Sequence, residues 1–253
     1  MRDRLLGTID YVAALAELRD REVNYDPSEI RPPDWNFDVH RSVVGRERPG
    51  PPEAGGVWEA ARDLVRDYEF TPPELIRAVY YRRDPLLGRN LLLEGRFSLL
   101  RFYMGVRITA LIDETRRQQQ KVWGWTYETL AHHLERGNVT YEVVKHLNTG
   151  QVEFVASCQS QRSPAVGPVL RMGWRFFGRR TQLRFYRRCG QRLQELVRAS
   201  LAGTPVSVDA QSPDGQSLNA QSPLGIDDLV LVPSGVEPHP LDRFAIRQYN
   251  PGR

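Results

Sequence analysis

Hydrophobic positions recur along this chain with two periods, and the switch between them orders the elements. Over 9–18 the apolar residues Ile9, Val12, Ala13 and Ala16 return at helical spacing, and Asn24-Tyr25-Asp26-Pro27 supplies the turn that follows. Residues 31–56 hold five prolines, several glycines and few apolar positions, which predicts an irregular surface loop and a core beginning near Val57. The stretch 60–70 alternates loosely, as a strand does. Thr71-Pro72-Pro73-Glu74 then offers an N-cap, prolines for a first turn and a carboxylate for the helix dipole, predicting a short helix that carries Leu75, Ile76 and Val79.

Beyond Gly88 and Asn90, alternation predicts strands over 104–113, 122–130, 139–147 and 152–159, with Asn148-Thr149-Gly150 as a tight turn between the last two. Consecutive hairpins make an antiparallel meander. Over 166–200 the period becomes helical: Leu170, Trp174, Phe177, Tyr186, Cys189, Leu193, Leu196 and Val197 share one stripe, the cover that one sheet face needs. After Gly203 the chain turns to Ser, Pro, Gly, Asp and Gln, and Ala-Gln-Ser-Pro occurs at 210–213 and again at 220–223, which reads as a linker. In this tail only 226–232 is apolar enough for one strand. The pattern therefore predicts an α+β chain in three parts. Residues 1–56 form an N-terminal helix and proline-rich loop, 57–202 a curved antiparallel sheet around a long C-terminal helix, and 203–253 a linker and extended tail.

Composition narrows the function classes. With 40% hydrophobic and 26% charged residues the chain can bury a full core. No stretch reaches the ~20 apolar residues of a membrane span and no secretory segment follows Met1, so the expected location is the cytoplasm without membrane insertion. Cys158 and Cys189 are too few for a disulfide framework and have no partners at metal-ligand spacing, so no metal and no cofactor are expected. The chain has no phosphate loop, no dinucleotide fingerprint and no nucleophile elbow.

Three groups of residues carry candidate chemistry. Trp123, Trp125, Tyr127 and Thr129 fall on one face of the 122–130 strand, either as the wall of an apolar ligand site or as core packed against Trp174 and Phe177. His132, His133 and Glu135 follow in the next turn. His133 with Glu135 suits general acid–base work, a structural hydrogen bond or, with His132, part of a metal site. Arg107, in mid-strand, is either solvent-facing or an inward anchor for a carboxylate. The long helix is rich in arginine, among them Arg171, Arg175, Arg179, Arg180, Arg184, Arg187, Arg188, Arg192 and Arg198. In a chain of net charge +4 that face is a solvated surface, a contact for an acidic partner or a homodimer, or a nucleic-acid or membrane surface; the amphipathic pattern argues for solvation and against nucleic acid.

The run Trp123-Gly124-Trp125-Thr126-Tyr127-Glu128-Thr129-Leu130, continued by His132-His133-Leu134-Glu135-Arg136-Gly137, resembles the DUF1990 family, whose members show a Gly-aromatic-x-Tyr-x-Thr-Leu segment followed by His, Glu and Gly. Gly124, Tyr127, Thr129, Leu130, His133, Glu135 and Gly137 match that pattern. Val152-Glu153-Phe154, Gly178-Arg179-Arg180, Asn24-Tyr25 and Thr71-Pro72-Pro73 extend the likeness over roughly 15–200. Trp125 stands where Phe is commoner, His132 where Gly is expected, and the tail lies outside the pattern. The resemblance implies the helix-grip fold of the START and birch-pollen-allergen superfamily, with a cavity between sheet and long helix, and brings no reaction with it. The resulting expectation is a module that binds a small hydrophobic or amphipathic molecule through Arg107, Trp123, Trp125, Tyr127, Thr129, Trp174 and Phe177. The alternatives are an enzyme of cyclase, dehydratase or isomerase type using His133 and Glu135 in the same cavity, and an interaction protein using the arginine face.

Overall fold

The computed structural model describes residues 9–97, 100–163, 168–203, 228–235 and 246–249. Three helices, α1 (Tyr11–Arg19), α2 (Val57–Arg66) and α3 (Pro168–Leu201), accompany nine strands. The strands are β1 (Asn36–Arg46), β2 (Ile76–Tyr81), β3 (Asn90–Phe97), β4 (Leu100–Arg116), β5 (Gln120–Thr129), β6 (Glu135–His146), β7 (Gln151–Arg162), β8 (Leu229–Val232) and β9 (Ile246–Tyr249). They form one sheet in the order β1-β7-β6-β5-β4-β3-β2-β8, antiparallel throughout, with β9 parallel to the start of β4. The first strand lies beside the last of the meander, and α3 packs back across that edge. This is the helix-grip architecture.

Two predicted elements change type for a readable reason. Over 57–66 the buried residues are Val57, Trp58, Ala61 and Val65, a spacing of three and four, so α2 replaces the expected strand. Its start is capped from a distance, because the buried Glu47 carboxylate accepts from Trp58 N at 2.7 Å. Thr71-Pro72-Pro73 makes only a single turn, with Leu75 N and Ile76 N both bonded to Pro72 O. The β-branched and aromatic run Ile76-Arg-Ala-Val-Tyr-Tyr81 then pairs as β2 instead of continuing as a helix.

The expected loop at 31–56 contains β1, an 11-residue strand paired with β7, so the sheet begins well before Val57. Strand β3, fully paired on both sides, also lay unread between Gly88 and the 104–113 segment. At the N-terminus the helix stands where expected, but its buried side chains are Ala14, Leu15 and Leu18. They pack on the convex side of the sheet with Val79, Leu92, Tyr103 and Leu130.

The main core lies on the other side. Trp58, Val65, Tyr68 and Phe70 from the α2 region, Trp125, Tyr141 and Phe154 from the sheet, and Tyr186, Cys189, Leu193 and Val197 from α3 form one cluster. Of the predicted α3 stripe, Tyr186, Cys189, Leu193 and Val197 pack here, and Leu196 stays half-buried. Gly190 lets the helix come close: a Cβ there would stand 2.1 Å from Ser42 Oγ of β1.

Candidate functional site

Alternation along β6 puts Val139, Tyr141 and Val143 into the main core, and the same period carries Gly137 and Glu135 onto that inward face. Tyr127 of β5 pairs with Val139, and Cys158 of β7 pairs with it from the other side. Tyr186 of α3 faces them, its hydroxyl within hydrogen-bonding reach of the Cys158 thiol. Tyr68, just after α2, adds a fourth tyrosine; its ring centroid lies 6.4 Å from that of Tyr141, and Tyr127 and Tyr141 are 6.0 Å apart. The sheet, α2 and α3 therefore converge their hydrogen-bonding side chains on one region of an otherwise apolar interior.

These groups are poorly satisfied. The hydroxyls of Tyr68 and Tyr141 are buried and make no hydrogen bond of regular geometry; that of Tyr141 meets those of Tyr68 and Tyr127 only loosely. Buried polar groups are nearly always bonded, so each such orphan calls for a cause. Burial lifts the pKa values of Tyr68, Tyr127, Tyr141 and Tyr186 well above the usual phenol range, with neighbouring tyrosines, thiols and, at Tyr127 and Tyr186, Glu135 adding to the effect. Burial likewise pushes the Cys158 thiol up to about 12. All five stay neutral at physiological pH, and the surroundings disfavour any anion.

Glu135 is the exception in this setting. Burial, with the Asp38 carboxylate nearby, raises its carboxyl to about 7, although the residue itself is only half-buried. At neutral pH it is divided between a proton-donating and an ionised form.

The predicted site residues divide between this region and the scaffold. Tyr127 belongs to it. Trp125 is fully buried, its Nε1 donates to Val65 O at 3.2 Å, and its ring packs against Tyr68, Tyr127 and Tyr141, which makes it the pin between β5 and α2. Trp123 is half-buried on the flank of the same core. The Thr129 hydroxyl accepts from Gly137 N at 2.9 Å and donates to Asn24 Oδ1 at 2.6 Å, so it is spent on closing the strand ends. Gly137 itself sits at φ 145°, where a Cβ would overlap Gln159 O. Arg107 lies away from the interior: it donates to Asn90 Oδ1 and to the carbonyls of Leu18, Arg19 and Arg21, the last at 3.1 Å, and so caps the C-terminus of α1. The side chains of Trp174 and Phe177 lie outside the described residues.

His133 and Glu135 do not form the expected dyad. The imidazole Nδ1 of His133 accepts from the backbone N–H of Glu135 at 2.9 Å, not from its carboxyl. Burial lowers His133 to about 4, so it stays neutral through the physiological range and serves as a turn cap. Tyr25 and Asn24 reinforce the same corner: Asn24 Nδ2 donates to Glu135 O, and the Tyr25 hydroxyl donates to Glu128 at 2.6 Å. No group of three His, Cys, Asp or Glu suited to a metal occurs among the described residues. On α3, Arg188 pairs with Glu74 at 2.6 Å and Arg192 donates to Glu69 O, so part of the arginine face is committed to packing, while Arg184, Arg187 and Arg198 are exposed.

Sequence reasoning missed Tyr68, Tyr141, Tyr186 and Cys158 as members of one constellation. Alternation in β6 and the α3 stripe do orient Tyr141 and Tyr186 inward, but only the fold brings the four to Tyr127. No helix among the described residues is long and apolar enough to cross a membrane.

Among solved structures the chain is similar to Ara h 8.0201 at 13% identity, with 65% of this chain and 99% of that one covered and a TM-score of 0.39. It is also similar to the major latex-like protein 151 of Panax ginseng (10% identity, 64% and 97% covered, TM-score 0.39). A third is the Zhui aromatase/cyclase of Streptomyces sp. R1128 (14% identity, 67% and 93% covered, TM-score 0.39). No curated protein matches the chain. The profile of a domain of unknown function, DUF1990, matches residues 20–192, from the turn after α1 through most of α3, and the chain belongs to that family.

Proposed function

We propose that the protein binds a small, uncharged, largely apolar molecule between the sheet and α3, with a hydrogen-bonding group of the ligand directed at the tyrosine cluster. The observation that carries this reading is the pair of buried hydroxyls on Tyr68 and Tyr141, which lack a regular hydrogen bond and meet only each other and Tyr127 loosely, with the Glu135 carboxyl nearby. Ligand sites are mostly apolar with a few placed polar groups, which is the composition of this region. An anionic ligand is disfavoured, because burial already opposes ionisation of every phenol and thiol in the cluster. Since Trp125, Phe70 and Phe154 fill the α2 side, the ligand would enter from the Glu135 end and reach the hydroxyls of Tyr68 and Tyr141 by displacing the packing over them.

A suitable probe is 2-naphthol, an apolar bicycle with one hydroxyl, set against naphthalene. Saturable 1:1 binding of 2-naphthol is expected, weakened by about tenfold when the Tyr68→Phe and Tyr141→Phe changes remove its partners, a loss of about 1.4 kcal/mol. Naphthalene should bind both proteins alike. Absence of saturable binding, or equal affinity of both proteins for 2-naphthol, would sink the reading.

One observation favours a second reading, acid–base catalysis in the same place: Glu135 exchanges its proton near neutral pH and faces the interior. In that case Glu135, rather than His133, is the proton donor. Glu135→Gln would then abolish turnover of a converted ligand while leaving its binding intact.

A further inference from the structure

Strand β1 ends the sheet, and among the described residues no strand pairs with its far side. Its side chains alternate cleanly: Phe37, Val39, Arg41 and Val43 are exposed, while Asp38, His40 and Ser42 turn toward α3 and are half-buried. Phe37, Val39 and Val43 are 48%, 65% and 50% exposed. They are three of the six large apolar side chains exposed among the described residues, and all three lie on one face of one edge strand. A shallow groove beside Phe37 and Val39 runs over Asn138, Thr140, Ser157 and Gln159.

A free edge with an apolar row is a template for another strand, and proteins usually blunt such edges with prolines, charges or bulges. Here Arg41 is the one exposed charge within the row, and the other blunting devices stand at the two ends. Pro32-Pro33 precedes the strand, and the register against β7 shifts between Val43 and Gly45, where Gln194 Nε2 also binds Val43 O at 3.1 Å. The open stretch is 36–43.

That stretch is self-complementary. Antiparallel pairing with a second copy about a two-fold axis at His40 sets Phe37 opposite Val43 of the second copy, an aromatic and β-branched pair made twice by symmetry. Val39 falls opposite Arg41 of the second copy, whose aliphatic stem can cover it while its guanidinium keeps the Glu153 of its own chain at 3.4 Å. Moving the axis to Arg41 would oppose two arginines. We propose that β1 is the seam of a homodimer, pairing antiparallel with β1 of a second copy about an axis at His40 to make one continuous sheet.

Sedimentation of the full chain across micromolar concentrations tests this directly. The expected result is a reversible species of twice the 29.1 kDa chain. Val39→Lys puts a second cation opposite Arg41 of the second copy and should raise the dissociation constant by about tenfold or more, with an unchanged thermal midpoint for the monomer because the side chain is exposed. Oxidised His40→Cys should form a covalent dimer, whereas Val43→Cys, far from its own copy, should not. A monomer at all concentrations, a dimer indifferent to Val39→Lys, or a monomer occupied at this edge by a different protein would each overturn the proposal.

Discussion

Replacing Tyr141 with phenylalanine removes one oxygen and leaves the ring, and the structure gives that change an unusual sign. The residue is fully buried, and its ring packs edge-on to Phe70 at 4.7 Å and Trp125 at 5.1 Å and stacks on Phe154 at 5.9 Å, contacts that phenylalanine keeps. Its hydroxyl makes no hydrogen bond of regular geometry and meets those of Tyr68 and Tyr127 only loosely. An unsatisfied buried hydroxyl costs about 1 to 3 kcal/mol, and the small void left by one oxygen returns part of that. Tyr141→Phe should therefore stabilise the ligand-free protein by about 1 to 2 kcal/mol, raising the thermal midpoint by roughly 2 to 8 °C for a chain of this size. Tyr80→Phe is the matched control, since the Tyr80 hydroxyl donates to Asp67 O at 3.1 Å and its loss should cost about 1 kcal/mol. The assay is urea and thermal unfolding of the three ligand-free proteins. Destabilisation of Tyr141→Phe to the same degree as Tyr80→Phe would mean that the hydroxyl is already satisfied, and the argument for a ligand partner would fail with it.

Glu135 should leave a mark on the pH dependence of stability. Its folded value of about 7 lies above the ordinary 4.5, so the folded state holds the extra proton between them, and this contribution to stability is present at low pH and lost as pH rises toward 7. Glu135→Gln should flatten that part of the curve relative to the wild type in melts from pH 4.5 to 8; parallel curves would contradict the assignment. Arg107→Ala should destabilise by about 1.5 to 3 kcal/mol, by uncapping α1, without changing 2-naphthol affinity, and Arg107→Lys should rescue only partly because a single ammonium cannot span the same carbonyls. Lys145→Ala strands the buried Glu47 carboxylate, its partner at 2.5 Å, and should cost about 3 to 5 kcal/mol in urea unfolding.

The meander and its cover were legible because their signals are periodic and self-consistent. Strands β5, β6 and β7 alternate over ten or more residues, and Tyr186, Cys189, Leu193 and Val197 keep one helical stripe. The N-terminal half misled where local chemistry pointed away from the tertiary outcome. Prolines at 32, 33, 49, 51 and 52 hid β1 between them, and β1 is an edge strand whose outward row is exposed, so it lacks the buried alternation of a central strand. Thr71-Pro72-Pro73 has real helix-start chemistry, but pairing of Ile76–Tyr81 with β3 and β8 outweighs it. Strand alternation points Tyr127 toward the core, where its ring is buried. For Arg107 the sequence leaves a solvent-facing and an inward position open; a bulge in β4 between Ile108 and Ala110 and the packing of α1 decide its surroundings, and neither is written in the local sequence. His133 and Glu135 look like a dyad in sequence; the turn uses the imidazole on the backbone and sends the carboxyl inward.

The central claim is that the space between sheet and α3 holds a molecule whose polar group satisfies the tyrosine cluster. Native mass spectrometry of the protein from its own source, run beside a denatured sample, tests it most directly. The account predicts one small, uncharged, largely apolar molecule per chain, released on denaturation and absent or sharply reduced in the Tyr68→Phe, Tyr141→Phe double variant. A bare chain mass in both samples, together with no uptake of 2-naphthol, would contradict it.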